Sequence, residues 1–139
     1  MDTIKRISLA HVLAVATLVI VMGLALEASA YKSKTDRKNS VSVDVKPVQL
    51  APGRSVKFEV RMSTHSVELD QDVVASSTLK DNNGREYRPV GWNGSPPGGH
   101  HRKGVLEFPA LEGGPKAVTL VIRDISNVPE RIFAWDVER

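Results

Sequence analysis

The sequence predicts an all-β domain, an antiparallel sandwich of about seven strands, and three observations predict it. Short runs in which apolar and polar residues alternate recur along the chain, which is the period of a half-buried strand. Clusters of Gly, Pro and Asn punctuate these runs at spacings of roughly 8 to 12 residues, as in β-sandwiches. Nothing after residue 39 repeats its apolar residues at the spacing of an amphipathic helix.

In chain order, Val41, Val43 and Val45 alternate with Ser42, Asp44 and Lys46, and Pro47 follows. Ala51-Pro52-Gly53-Arg54 makes a turn. Val56, Phe58, Val60 and Met62 alternate with Lys57, Glu59 and Arg61, the clearest strand, which Thr64-His65-Ser66 breaks. Residues 67–72 suit either a short strand or an acidic loop. Val73 to Lys80 predicts a strand, turned by Asp81-Asn82-Asn83-Gly84, because Asn and Gly tolerate the positive φ of tight hairpins. Glu86 to Val90 is the return strand, with Pro89 at an edge or an end.

Gly91 to Gly104 is a Gly/Pro-dense loop carrying Trp92, His100, His101, Arg102 and Lys103, which the scaffold is expected to present. Val105 to Pro109 resumes the strand pattern, and Gly113-Gly114-Pro115 turns the chain. Val118, Leu120 and Ile122 alternate with Thr119, Val121 and Arg123, an apolar strand suited to burial on both faces. Asp124 to Glu130 reads as a loop. Phe133, Trp135 and Val137 then share one face, with Trp135 in the core. Size and spacing are those of an immunoglobulin- or fibronectin-like sandwich over residues 40–139, a small barrel being the alternative.

Residues 1–30 read as a signal peptide: Lys5 and Arg6, an apolar run from Ile7 to Leu26, and Ala28-Ser29-Ala30 before Tyr31. Retained, that run is long enough to anchor the chain in a membrane. Cleavage removes Lys5 and Arg6 together with Asp2 and Glu27, so the net charge stays +3. Residues 31–39 are polar and are expected to form a disordered leader. Its basic run, Lys32 to Lys38, can touch anionic lipid or polymer, although a solvated leader is the simpler reading. The expected location is outside the cytoplasm, periplasmic or extracellular.

The chain has no cysteine, which excludes disulfides, thiolate metal sites, a blue-copper centre and a Cys nucleophile. Downstream of residue 30 the histidines are His65, His100 and His101. If the sandwich brings their segments to one rim, they can bind zinc or copper, with Asp70 or Asp72 as a further ligand or as an orienting partner. Adjacent strand residues face opposite ways, so only one of His100 and His101 can face a given site. In the simpler alternative one imidazole packs against Trp92 and the other meets solvent.

Trp92 with Pro96 and Pro97 can form a platform for a glycan or a Pro-rich peptide, or can fold back over the core. Arg102 and Lys103, with Arg85, Arg88 and Arg131, can gather into an anion site, dispersed surface cations being commoner. Ser66 beside His65 and Ser95 near His100 lack any known nucleophile setting, so no enzyme is expected. The modest net charge and the lack of an aromatic-basic motif argue against nucleic acid.

Thr64-His65-Ser66-Val67-Glu68-Leu69 and Gly98-Gly99-His100-His101-Arg102-Lys103-Gly104-Val105-Leu106-Glu107-Phe108 together resemble a motif pair of small exported bacterial β-sandwich domains of uncharacterised function. The resemblance spans residues 40–138 and implies that the two His segments belong to one module. Read as a whole, the sequence points to an exported, non-enzymatic binding module. Its ligand is a transition metal at a His-rich rim or, alternatively, a protein or glycan at the 91–104 loop.

Overall fold

Alternation along the strands becomes two antiparallel sheets with their apolar faces together. The structure, a computed structural model, describes residues 31–138, which belong to one compact unit, Tyr31–Arg139. The expected signal peptide, residues 1–30, lies outside the described residues. In chain order the elements are β1 (Lys34–Lys38), β2 (Val41–Gln49), β3 (Ser55–Thr64), the helical turn α1 (Val73–Ser76), β4 (Ser77–Asp81), β5 (Glu86–Tyr87), β6 (Gly91–Gly94), β7 (His101–Ala110), β8 (Ala117–Ile125) and β9 (Val128–Asp136). One sheet runs β1-β2-β3-β7-β6 and the other β5-β4-β8-β9. The all-β sandwich is as expected, with nine strands among the described residues rather than about seven.

Val43, Val45, Phe58, Val60, Leu106 and Phe108 from the first sheet meet Leu79, Leu120, Ile122 and Phe133 from the second, all essentially buried. Phe58 is the pivot, edge-on to Phe108 at 6.0 Å and 5.3 Å from the Trp135 ring. Burying each such side chain contributes about 1.5 to 3 kcal/mol. Trp135 is in the core, as its alternation with Phe133 implies. Val121, on the opposite side of β8 from Leu120 and Ile122, is buried as well.

The expected disordered leader is a correction: it is a strand. β1 pairs with β2 along its whole length, from Lys34 against Val45 to Lys38 against Val41. Its polarity misleads because it is an edge strand, fastened by hydrogen bonds and charge instead of by apolar side chains. The Tyr31 hydroxyl donates to the Leu50 carbonyl at 3.0 Å and accepts from the Glu138 amide at 2.8 Å. The Trp135 indole donates to the Lys32 carbonyl at 3.0 Å, and the Lys34 ammonium sits 5.6 Å over its ring.

Arg131 completes the fastening and is a second correction, since the sequence reading places it among surface cations. It is fully buried at 0% exposure, and its guanidinium meets the Asp36 carboxylate at 2.6 Å. It also donates to the carbonyls of Lys38 at 2.9 Å, Val41 at 3.3 Å and Ile125 at 3.3 Å. One side chain on β9 therefore ties β1 and β2 of the facing sheet to the end of β8.

Two further departures concern turns. Asp124 to Glu130 is not a loop: β8 and β9 meet in a tight hairpin over Ser126 and Asn127, at φ 53 and 56. Asn39 and Ser40 join β1 to β2 in the same way, at φ 46 and 63. Positive φ at both central residues matches the strands' twist, and here it is adopted without glycine. The turns are bonded to each other, Asn39 Nδ2 to the Ser126 carbonyl at 3.0 Å and Ser126 Oγ to the Asn39 carbonyl at 2.8 Å. The stretch from Val73 to Lys80 is likewise not one strand but α1 followed by β4.

The Asp81 turn forms as expected. Asp81 Oδ1 accepts from the amides of Asn83 and Arg85, each at 2.9 Å, and Oδ2 accepts from the Tyr87 hydroxyl at 2.8 Å. Burial by itself raises the pKa of this carboxyl, but those three hydrogen bonds and the Arg85 charge outweigh it and hold the group below its ordinary 3.8.

Two outcomes follow for the Tyr31–Arg139 domain in chemical denaturation. Arg131→Met leaves Asp36 without its buried partner and orphans several carbonyls, so it lowers unfolding free energy by about 3 to 5 kcal/mol; a loss under about 1 kcal/mol contradicts the clasp. Asp81 binds its proton more weakly folded than unfolded, so its contribution is present above pH 3.8 and is lost as pH falls through the lower folded value. Asp81→Asn therefore destabilises the domain at neutral pH and flattens its acid limb. An unchanged acid limb contradicts that role.

Candidate functional site

The two His-bearing segments meet where β3 ends and β7 begins. Ser63 stands opposite His101 in the β3–β7 register, and the Thr64 amide donates to the His100 carbonyl at 3.0 Å. Beyond the strand, Thr64 Oγ1 accepts from the amides of Ser66 at 3.2 Å and Val67 at 3.3 Å, which turns the chain back on itself. The 67–72 stretch then lies along the loop before β7. The Leu69 amide donates to the Gly99 carbonyl at 3.0 Å, and the Gly98 amide returns to the Leu69 carbonyl at 2.8 Å. Glu68 Oε1 accepts from the Gly99 amide at 2.6 Å. Gly98 and Gly99, at φ 116 and 73, take backbone shapes that other residues rarely adopt.

Alternation along β7 decides which side chains reach solvent. His101, Lys103, Val105 and Glu107 lie on the outer face, while Arg102, Gly104, Leu106 and Phe108 point inward. Arg102, expected to bind ligand from an exposed loop, is instead 3% exposed and closes the end of the sandwich. Its guanidinium donates to the carbonyls of Leu69 at 3.2 Å and Gln71 at 2.7 Å. Burial lowers its pKa, while the charges of Asp72 and Asp70 pull the other way.

Trp92 is held rather than offered. It stands opposite Leu106 on β6, its indole donates to the Ser95 carbonyl at 2.9 Å, and the Arg102 guanidinium lies 5.8 Å from its ring. The ring covers Gly104, where an added Cβ would come within 2.6 Å of it, and Gly94, where the distance would be 3.0 Å. Trp92 thus folds back over the core, and the expected 91–104 loop is a hairpin with β6 as its first strand.

Of the expected metal ligands, His65 and His101 line one groove on the outer face; His100 is exposed but does not line it. Neither groove imidazole has a side-chain partner among the described residues. Asp70 is exposed, and Asp72 is committed elsewhere: its Oδ1 caps α1 by accepting from the amides of Val74 at 3.0 Å and Ala75 at 3.1 Å. Among the described residues no group of three or more His, Cys, Asp or Glu side chains is arranged to hold a metal ion. The candidate serine nucleophiles are unprepared too. Ser95 Oγ donates to the Lys103 carbonyl and accepts from the Lys103 amide, both at 3.1 Å, and bonds no imidazole.

The groove's other walls come from the expected leader, at Arg37, Lys38 and Asn39, and from Ser40, Val41, Ser42, Ser63 and Thr64 around the start of β2 and the end of β3. Among the described residues no carboxylate lines it. Asp36, beneath, pairs with Lys38 at 2.8 Å and with Arg131 at 2.6 Å, so one anion faces two cations there. Arg37 makes no ion pair among the described residues. The groove therefore offers unneutralised positive charge, two imidazoles and four hydroxyls, on a base set by the strained Asn39-Ser40 turn. The sequence signal for it was the basic run from Lys32 to Lys38, whose position beside His101 only the sheet order supplies.

The Gly104–Trp92 contact has a direct check. Gly104→Ala places a methyl group against the Trp92 ring, the Gly94 Cα at 2.7 Å and the Asn93 carbonyl at 2.8 Å. Overpacking of this kind costs about 1 to 3 kcal/mol, and the displaced indole shifts the fluorescence of Trp92. A variant with wild-type stability and emission contradicts the packing described.

Comparisons with protein-family models, with curated proteins and with solved structures each found no match to this chain.

Proposed function

We propose that this chain is an exported, non-enzymatic binding module whose contact surface is the groove between β1, β2, β3 and the start of β7, and whose ligand carries an anionic group. The observation that carries this reading is the composition of the groove: Arg37, which makes no ion pair among the described residues, stands there with His65, His101, Ser40, Ser42, Ser63 and Thr64, Lys38 shares Asp36 with Arg131, and among the described residues no carboxylate lines the groove. Cations attract the anion, hydroxyls donate to its oxygens, and a preformed turn spares the cost of ordering the site on binding.

His65 and His101 in one groove also favour a second reading, a zinc or copper ion held by two imidazoles with its remaining ligands from solvent or from a partner. Non-enzymatic binding is favoured over hydrolysis because Ser95 is tied to Lys103 and neither groove imidazole reaches a serine partner.

Calorimetric titration of the Tyr31–Arg139 domain separates the readings. Pyrophosphate is expected to bind in low salt and to weaken as ionic strength rises. Arg37→Glu and His101→Glu, both at exposed positions, each reduce its affinity about tenfold, or about 1.4 kcal/mol. Affinity that ignores both variants removes the anion site. Zinc binding lost in His65→Ala and His101→Ala, with no pyrophosphate signal, would establish the metal reading instead.

A further inference from the structure

The groove does not end at His101. A second groove adjoins the first on the same outer face, sharing Ser63 and His101 and continuing onto Asp44, Arg61, Ser95 and Lys103. Asp44, Arg61 and Lys103 stand side by side across β2, β3 and β7, since Asp44 pairs with Arg61 and Arg61 with Lys103. Glu59 bridges the two cations, 2.9 Å from Arg61 and 3.6 Å from Lys103. Arg37 in the first groove thus makes no ion pair among the described residues, whereas both cations of the second are paired.

From this contrast we infer that the ligand is an acidic oligosaccharide laid across both grooves, its charged group among Arg37, Lys38, His65 and His101 and its hydroxylated body against Asp44, Arg61 and Lys103. This rests on the anion-binding reading above and adds the substrate class. A sugar hydroxyl both donates and accepts, so neighbouring carboxylate and guanidinium groups suit it, whereas a uniformly cationic wall suits a chain of phosphates. Single-stranded nucleic acid needs aromatic rings on which bases stack. Among the described residues, the imidazoles of His65 and His101 are the only aromatic rings that line either groove. A membrane surface needs exposed apolar side chains to insert. The apolar residues along these grooves, Val41 and Met62, are buried at 1% and 2% exposure.

The test is calorimetric titration of the Tyr31–Arg139 domain with glucuronic acid, a tetrasaccharide alternating glucuronate and N-acetylglucosamine, the neutral tetramer of N-acetylglucosamine, and a single-stranded DNA octamer. The acidic tetrasaccharide should bind at least about tenfold more tightly than glucuronic acid, the neutral tetramer or the DNA, a difference of about 1.4 kcal/mol or more. Asp44→Asn, which keeps an oxygen to accept from Thr35, should weaken the tetrasaccharide about tenfold and leave glucuronic acid unchanged, and Lys103→Ala should do the same. Arg37→Ala should weaken both. Equal affinity for tetrasaccharide and monosaccharide, no effect of Asp44→Asn and Lys103→Ala, or DNA bound as tightly as the tetrasaccharide overturns the inference. In those cases glucuronic acid still bound through Arg37 leaves the anion site standing. If no anionic probe binds, both readings fall.

Discussion

The pairing of β3 with β7 is the constraint on which the rest of the structure depends. Setting Ser63 opposite His101 puts His101 on the outer face and, because strand side chains alternate, sends Arg102 inward. Arg102 then draws the 69–71 backbone over the end of the sandwich, and the 64–72 segment is fixed against the loop that precedes β7. A slip of one residue would bury His101 and expose Arg102, undoing both grooves and the closure of the core together. Phe58, Val60 and Met62 opposite Leu106, Gly104 and Arg102 hold the register, because their burial is lost in any odd shift.

A second constraint, the buried Arg131, connects that pairing to the first strand. Stacking β1 beside β2 takes apolar faces or strong polar ties, and β1 has only the latter. The guanidinium supplies them in one place, reaching Asp36 and the carbonyls of Lys38, Val41 and Ile125. Asp36 and Lys38 lie on the inner side of β1, opposite buried Val43 and Val41, so the clasp leaves Arg37, opposite Ser42, on the outer side. The bonded turns Asn39-Ser40 and Ser126-Asn127 hold the same corner rigid.

Most of the fold was legible because alternation marks strands whose inner faces are apolar. Val41 to Val45, Val56 to Met62 and Val118 to Ile122 are of that kind. The strand Lys34–Lys38 has no apolar residue, so its pattern matches a solvated tail; the information that it is a strand resides in Arg131, nearly a hundred residues away. The Ser126-Asn127 hairpin was missed because tight turns announce themselves through glycine, and here Ser and Asn bear the positive φ themselves. Val73 to Lys80 carried β-branched residues of a strand, yet the Asp72 cap starts a helical turn before β4.

The site was legible in its outline and not in its composition. His65 and His101 line one groove, which their places at the ends of two strand patterns allowed without requiring. That Asp72 is a helix cap, Trp92 a cover for Gly104 and Arg102 an internal tie follows from parity and from contacts that no linear spacing reveals. Arg37 and Lys38 were visible as a basic run but had no neighbours until the sheet order supplied them. Anion binding in this groove is read most directly by mapping backbone amide shifts in the Tyr31–Arg139 domain as sulfate is added. Shifts are expected at residues 37–42, 63–65 and 101; shifts centred instead on Trp92 and β6, or on the β5-β4-β8-β9 sheet, would rule out an anion site in the groove.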